Sequence, residues 1–261
     1  VSVWLVFVAA GMVAGCGRAV PQVDPPSELT VAAAADLQFA VPELVALFRK
    51  EHPEIAVKTI FGSSSKIYSQ ALNQAPFDVV LFANLEFPKK LIEAGYAEAE
   101  SYFPYARGQI VVWVPASSPI AVEELGMDSL LHPTVRKIAL ANPRHAPYGM
   151  AAEAAMKHFG VHDRVQDRLV LAENIAQAAQ FVESGAADVG VIALALAVAP
   201  GMKARGRYWL VPLDAYPPID QAGVILSRTR NRPAAEAWRA LMLNPQGREV
   251  LRRYGFLVPE E

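Results

Sequence analysis

Cysteine is nearly missing from this sequence: there is one in 261 residues, so no internal disulfide can staple the fold. An excess of either charge is missing too. With 24 Lys and Arg against 26 Asp and Glu, the formal charge is −2. No basic run or basic-aromatic interleaving occurs, which removes the usual footprint of a nucleic-acid binder. There is no Gly-x-Ser-x-Gly elbow to expose a serine nucleophile. The five histidines do not gather: His52 and His132 precede prolines, His158 and His162 flank Gly160, and His145 stands in a proline-rich segment. No group of Cys, His and carboxylates has metal-site spacing, so neither a resident cofactor nor a cation ligand set is expected. What remains is a chain 53% hydrophobic, long enough for a large core in one or two domains.

Apolar character begins with residues 3–14, a run too short to cross a bilayer comfortably. It ends in Val13-Ala14-Gly15-Cys16, which resembles the lipobox of a bacterial lipoprotein signal peptide, with Cys16 as the residue that would carry the lipid. Residues 17–27, with Pro21, Pro25 and Pro26, read as an extended tether. The expectation is a signal peptide and tether over 1–27 and export to the periplasm or another extracytoplasmic space. The membrane would be reached through lipid on Cys16.

From residue 29 onward strands and helices alternate. Strand patterns cover 29–34, 55–61, 78–83, 109–114, 137–141, 168–171, 188–192, 208–211 and 222–226. Helical spacing of Leu37, Val41, Leu44 and Phe48 marks the first helix, where Pro42 should kink it or shift its start. Further helices fall over 65–73, 87–94, 150–159, 174–184, 233–243 and 246–254, several stopped by glycine. This alternation predicts an α/β fold with largely parallel, doubly wound sheets. In such sheets ligands bind where strand ends run into helix starts.

Phe61-Gly62-Ser63-Ser64-Ser65-Lys66 is such a junction. The first N–H groups of a helix have no partners within it, and its dipole and hydroxyls favour an anion there. The alternative is that the serines only cap the helix. Three more junctions have the same form: Ala34-Ala35-Asp36, Pro147-Tyr148-Gly149 and Ala172-Glu173-Asn174-Ile175.

In this order and spacing several stretches resemble the periplasmic molybdate-binding protein family, the substrate-binding component of ABC importers. They are Leu29-Thr30-Val31-Ala32-Ala33-Ala34-Ala35-Asp36-Leu37, Phe61-Gly62-Ser63-Ser64-Ser65, Ala75-Pro76-Phe77-Asp78-Val79-Val80, Ala141-Asn142-Pro143-Arg144-His145-Ala146-Pro147-Tyr148-Gly149, Glu173-Asn174-Ile175, Asn244-Pro245-Gln246-Gly247 and Tyr254-Gly255-Phe256. The resemblance implies a type II periplasmic-binding-protein fold, two lobes joined by a two-strand hinge. Lobe I would be 28–106 plus 224–258, and lobe II 107–223. It implies a monomer, not an enzyme, that captures molybdate or tungstate and delivers it to an ABC permease. Carried over by position, the donors would be the N–H of Asp36, the hydroxyl and N–H of Ser64, and the N–H groups of Tyr148 and Ile175. Ala35, Ser63, His145 and Ala193 are secondary candidates.

Two departures stand out. Where the family commonly has a hydroxyl at the first junction, this chain has Ala35 and Asp36, and Ala193 stands where some members have a tyrosine. An ionised carboxylate about 4 Å from a dianion costs about 8 kcal/mol at an effective dielectric of ~20. Asp36 should therefore turn away and cap its own helix. Otherwise it accepts a proton from the ligand, which would favour phosphate or arsenate. A hydrolase using Ser64, a histidine and Asp36, and a ferric-iron binder using Asp36 with tyrosines, are the readings from other classes. Lys66 and Arg144 read as rim charges that steer an anion.

Overall fold

The structure is a computed structural model that describes Val1 and residues 27–259. Cys16 and nearly all of the signal peptide and tether expected over 1–27 lie outside the described residues. Among the described residues there are ten strands: β1 Ser27–Ala34, β2 Ile55–Gly62, β3 Val79–Phe82, β4 Phe103–Gly108, β5 Ile110–Pro115, β6 Ile138–Ala141, β7 Leu169–Ala172, β8 Val189–Ala193, β9 Gly206–Leu210 and β10 Ile219–Ile225. They assemble into two five-stranded sheets, ordered β2-β1-β3-β10-β4 and β7-β6-β8-β5-β9. The strands β1, β3, β5, β6 and β8 are apolar runs buried on both faces; β1, for example, has Leu29 to Ala34 buried in series. That pattern suits a sheet covered by helices on both sides.

The expected parallel character is only half right. β1 pairs in parallel with β2 and β3, and β6 with β7 and β8. The other four pairings are antiparallel: β10 with β3 and β4, and β5 with β8 and β9. The reason is the crossing between sheets. β4 ends at Gly108 in the first sheet and β5 begins at Ile110 in the second, with Gln109 alone between them. The chain returns through residues 211–218 to β10, which inserts between β3 and β4. A strand entering from the other sheet runs against its neighbours, so sequence alternation alone could not give its direction. This is the α/β architecture of two lobes on a two-strand hinge.

Pro42 does not kink its helix. The helix begins at Ala40, after a 3-10 turn over Ala35–Leu37, so the proline sits in the first turn, where a missing N–H costs nothing. Three packed clusters fill the lobes, anchored by Trp113 in the second lobe and Trp238 and Phe48 in the first.

Gly149 fixes one of the helix starts against a strand end. A Cβ there would lie 2.2 Å from the Ala141 carbonyl oxygen, which is backbone and cannot move aside. Gly149→Ala should therefore lower stability by about 1–3 kcal/mol through overpacking. The measurement is urea unfolding, with a lower midpoint at an unchanged slope.

Candidate anion-binding cleft

The four junctions meet. A cavity of about 10 Å³ between the lobes is walled by Ala34, Ala35 and Asp36, by Gly62, Ser63 and Ser64 with Ala83, by Ala146, Pro147 and Tyr148, and by Asn174 and Ile175. The first two segments follow β1 and β2; the last follows β7 and the one before it follows β6, in the other sheet. Ser64 and Ile175 are the first residues of their helices (Ser64–Leu72 and Ile175–Glu183), and Tyr148 is the second of Pro147–His158. Their N–H groups thus have no acceptor within the helix.

The serines are not caps. Ser63 holds the N-cap position, yet its side chain accepts no helix N–H. The Ser64 hydroxyl oxygen accepts the N–H of Ala83 at 3.0 Å, which occupies a lone pair and leaves the hydroxyl's own proton to be donated. At the opposite junction the helix cap is Asn174, whose side chain accepts the N–H of Gln177 at 3.0 Å. The Ile175 amide stays clear of that bond.

Asp36 does not cap its helix either: the N-cap position of its 3-10 turn is Ala34, with no side-chain cap. The carboxylate turns inward into a buried polar network. Its Oδ2 accepts the Tyr148 hydroxyl at 2.8 Å and the Gln221 Nε2–H at 2.6 Å. Gln221 also donates to the Tyr148 oxygen at 3.1 Å and accepts the Tyr105 hydroxyl at 2.8 Å. All four side chains are between 0% and 2% exposed, so water does not compete. Oδ1 of Asp36 is buried without a partner. Burial raises the Asp36 pKa above the usual carboxylate range, against the opposing pull of Gln221, Tyr148 and the nearby amides of Asp36 and Leu37. Burial, followed by the charge of Asp36, holds the phenols of Tyr105 and Tyr148 well above their ordinary range. Both are neutral donors, not phenolate ligands.

Sequence reasoning missed Gln221 and Tyr105, and assigned Tyr148 only its backbone. The signal was present in Gln221, a polar residue inside the apolar run of β10. A register shift between Gln221 and Ala222 accompanies it, the kind of irregularity that re-aims a side chain. Gly108 makes room for the cluster: a Cβ there would stand 2.1 Å from the Tyr148 hydroxyl.

Other expectations fall away from the cavity. His145 lines an outer groove with Met150 and Pro217, and its carbonyl accepts the Ser65 hydroxyl at 2.7 Å. Ala193 ends β8 opposite Ile110 and is buried in the second lobe, outside the cavity wall. Lys66 is no free rim charge; it pairs with Glu173 across the cleft at 2.5 Å. Among the described residues no group of three or more His, Cys, Asp or Glu could hold a metal ion, so the ferric-iron reading has no ligand set.

The raised Asp36 pKa gives a signed prediction. The folded state holds this proton more tightly than the unfolded chain, whose carboxyl titrates near ~3.9. Stability is therefore undiminished below that value and is lost as pH rises through the folded-state pKa. Asp36→Asn should melt higher than the parent at neutral pH, and the difference should shrink to nothing near pH ~4. Thermal unfolding across pH checks it.

Residues 29–257 match the family model for bacterial extracellular solute-binding proteins. The chain is 35% identical to the molybdate-binding protein ModA of Rhodobacter capsulatus over 231 residues, 88% of each chain. It is 34% identical to ModA of Azotobacter vinelandii over 252 residues, 97% of this chain and 96% of that one. The solved periplasmic molybdate-binding protein of A. vinelandii superposes with a TM-score of 0.83 at 33% identity, covering 89% of this chain and all of the other. A Mycobacterium tuberculosis sulfate-binding protein, SubI, shares the fold at a TM-score of 0.72 and 16% identity, covering 88% and 86% of the two chains. These relatives are binding proteins, and the hydrolase reading lapses with them. The chain belongs to the periplasmic molybdate-binding protein family.

Proposed function

We propose that this protein captures a tetrahedral, doubly charged oxyanion, molybdate or tungstate, between its lobes and delivers it to the permease of an ABC importer. The observation that carries the reading is the convergence of Ser64, Tyr148 and Ile175, each at a helix start, on one cavity shared by both lobes. The donors are the N–H of Asp36, the hydroxyl and N–H of Ser64, and the N–H groups of Tyr148 and Ile175. Ser63 and Ala35 complete the wall; His145 and Ala193 take no part. The expected bounds put lobe I at 28–106 plus 224–258 and lobe II at 107–223; the first sheet carries β4 as far as Gly108 and β10 from Ile219, so lobe I takes in both strands whole. The protein works as a monomer outside the cytoplasm, anchored through Cys16.

Neutral donors suit such an ion. Hydrogen bonds to a charged group contribute about 1.5–3 kcal/mol each, net of the water they replace, so several around one anion hold it without a counter-ion. Selectivity against cations follows from the lack, among the described residues, of a group of side chains able to ligate one.

The test is a thermal-shift and calorimetric panel with molybdate, tungstate, sulfate, phosphate, chromate and ferric citrate. A ligand that binds only the folded state raises the melting temperature by mass action. Molybdate and tungstate should give the largest shifts, and Ser64→Ala should weaken them about tenfold to a hundredfold, one charged hydrogen bond. No shift with either ion, or a shift with ferric citrate alone, overturns the reading.

A further inference from the structure

We propose that Asp36 enters the anion-loaded state as a neutral carboxylic acid, with its Oδ1 proton serving as a donor of the site, so that each anion is bound together with one proton. The proposal deepens the anion-site reading above and rests on it.

The geometry leaves one place for that proton. Oδ2 already receives two donors, the Tyr148 hydroxyl and the Gln221 amide, and has no room to carry a proton of its own. Gln221 Oε1 is occupied by Tyr105, so the amide cannot turn over to offer an acceptor. Oδ1 alone is left over, buried and unpartnered, on a residue that forms the cavity wall. A leftover oxygen in such a position is costly as a carboxylate and useful as an O–H. It supplies the hydroxyl that the first junction otherwise lacks.

Among the described residues no cation faces Asp36, and the donors of Gln221, Tyr148 and the Asp36 and Leu37 amides only partly offset its burial. The titratable groups facing it are the phenols of Tyr105 on β4 and Tyr148 on Pro147–His158, whose titration lies far above neutrality. On β10, Asp220 is tied to Arg107 at the solvent edge. Lys66, on the Ser64 helix, is tied to Glu173, and Glu183, at the far end of the Ile175 helix, to Arg205. Lys58 of β2 is exposed, and the short helix Leu194–Ala197 has no ionisable side chain. Among the described residues no cation bears on Asp36, so a second negative charge arriving in the cavity is relieved by proton uptake.

The experiment is calorimetric titration of the full chain with molybdate at a series of pH values, in pairs of buffers with different ionisation heats. Proton uptake per anion should rise toward one as pH passes the free-state pKa of Asp36. Beyond it the molybdate Kd should rise ~tenfold per pH unit. Asp36→Asn, whose amide puts a neutral donor in the same place, should lose both the proton uptake and that slope. Infrared difference spectra of the loaded parent should show a protonated-carboxyl band that Asp36→Asn lacks. Should that variant not fold, uptake and band in the parent decide alone. Binding of molybdate with neither uptake nor band at any pH overturns this proposal and leaves the anion-site reading standing. Preference for phosphate over molybdate overturns it too, since an ionised Asp36 would accept the ligand's proton. Failure of molybdate to bind at all removes both.

Discussion

Unpaired backbone N–H groups at helix starts are the constraint to which the rest of this molecule answers. A helix cannot satisfy its own first amides, and burying them in a dry cleft is costly unless something accepts their hydrogens. Here helix starts from two sheets are brought to one point, Ser64 from one side and Tyr148 and Ile175 from the other. Their polarity makes the cleft a solvent for negative charge. The packed alanines and glycines around them, Ala34, Ala35, Gly62 and Ala83, keep side chains from filling the space.

The same two lobes are tied to each other across the cleft at several points. Tyr148 places its amide at the cavity and its hydroxyl on Asp36 of the opposite lobe. Ser65 reaches the His145 carbonyl and Lys66 reaches Glu173, both across the cleft. The exposed ion pair contributes little on its own, about 0–1 kcal/mol. The buried cluster of Asp36, Tyr148, Gln221 and Tyr105 matters more, because opening would strand polar groups that now satisfy one another.

Local features were legible in the sequence. The helices stop at Gly95, Gly160 and Gly185, each with positive φ, where a side chain would strain. The anion-favouring junctions stand out because glycine, serine and small residues follow short apolar runs. What was not legible is what depends on distant pairing. β4 escaped notice because Phe103-Pro104-Tyr105-Ala106-Arg107-Gly108 has no clean alternation, and a proline interrupts it. The direction of β10 follows from which sheet it comes from. The fate of Asp36 turned on Gln221, 185 residues away in sequence. A capping rule sees only neighbours along the chain, so it assigned the carboxylate to its own helix.

The passage from β4 to β5 through Gln109 alone has a mechanical consequence. A single residue, itself tethered by its side chain to the Gly255 carbonyl at 2.8 Å, allows little besides rotation about its own backbone bonds. With the 211–218 segment as the second strut, the lobes are joined by two short connections, the geometry of a hinge. On such a hinge the amides of Ser64, Tyr148 and Ile175 would meet or part together, not one by one.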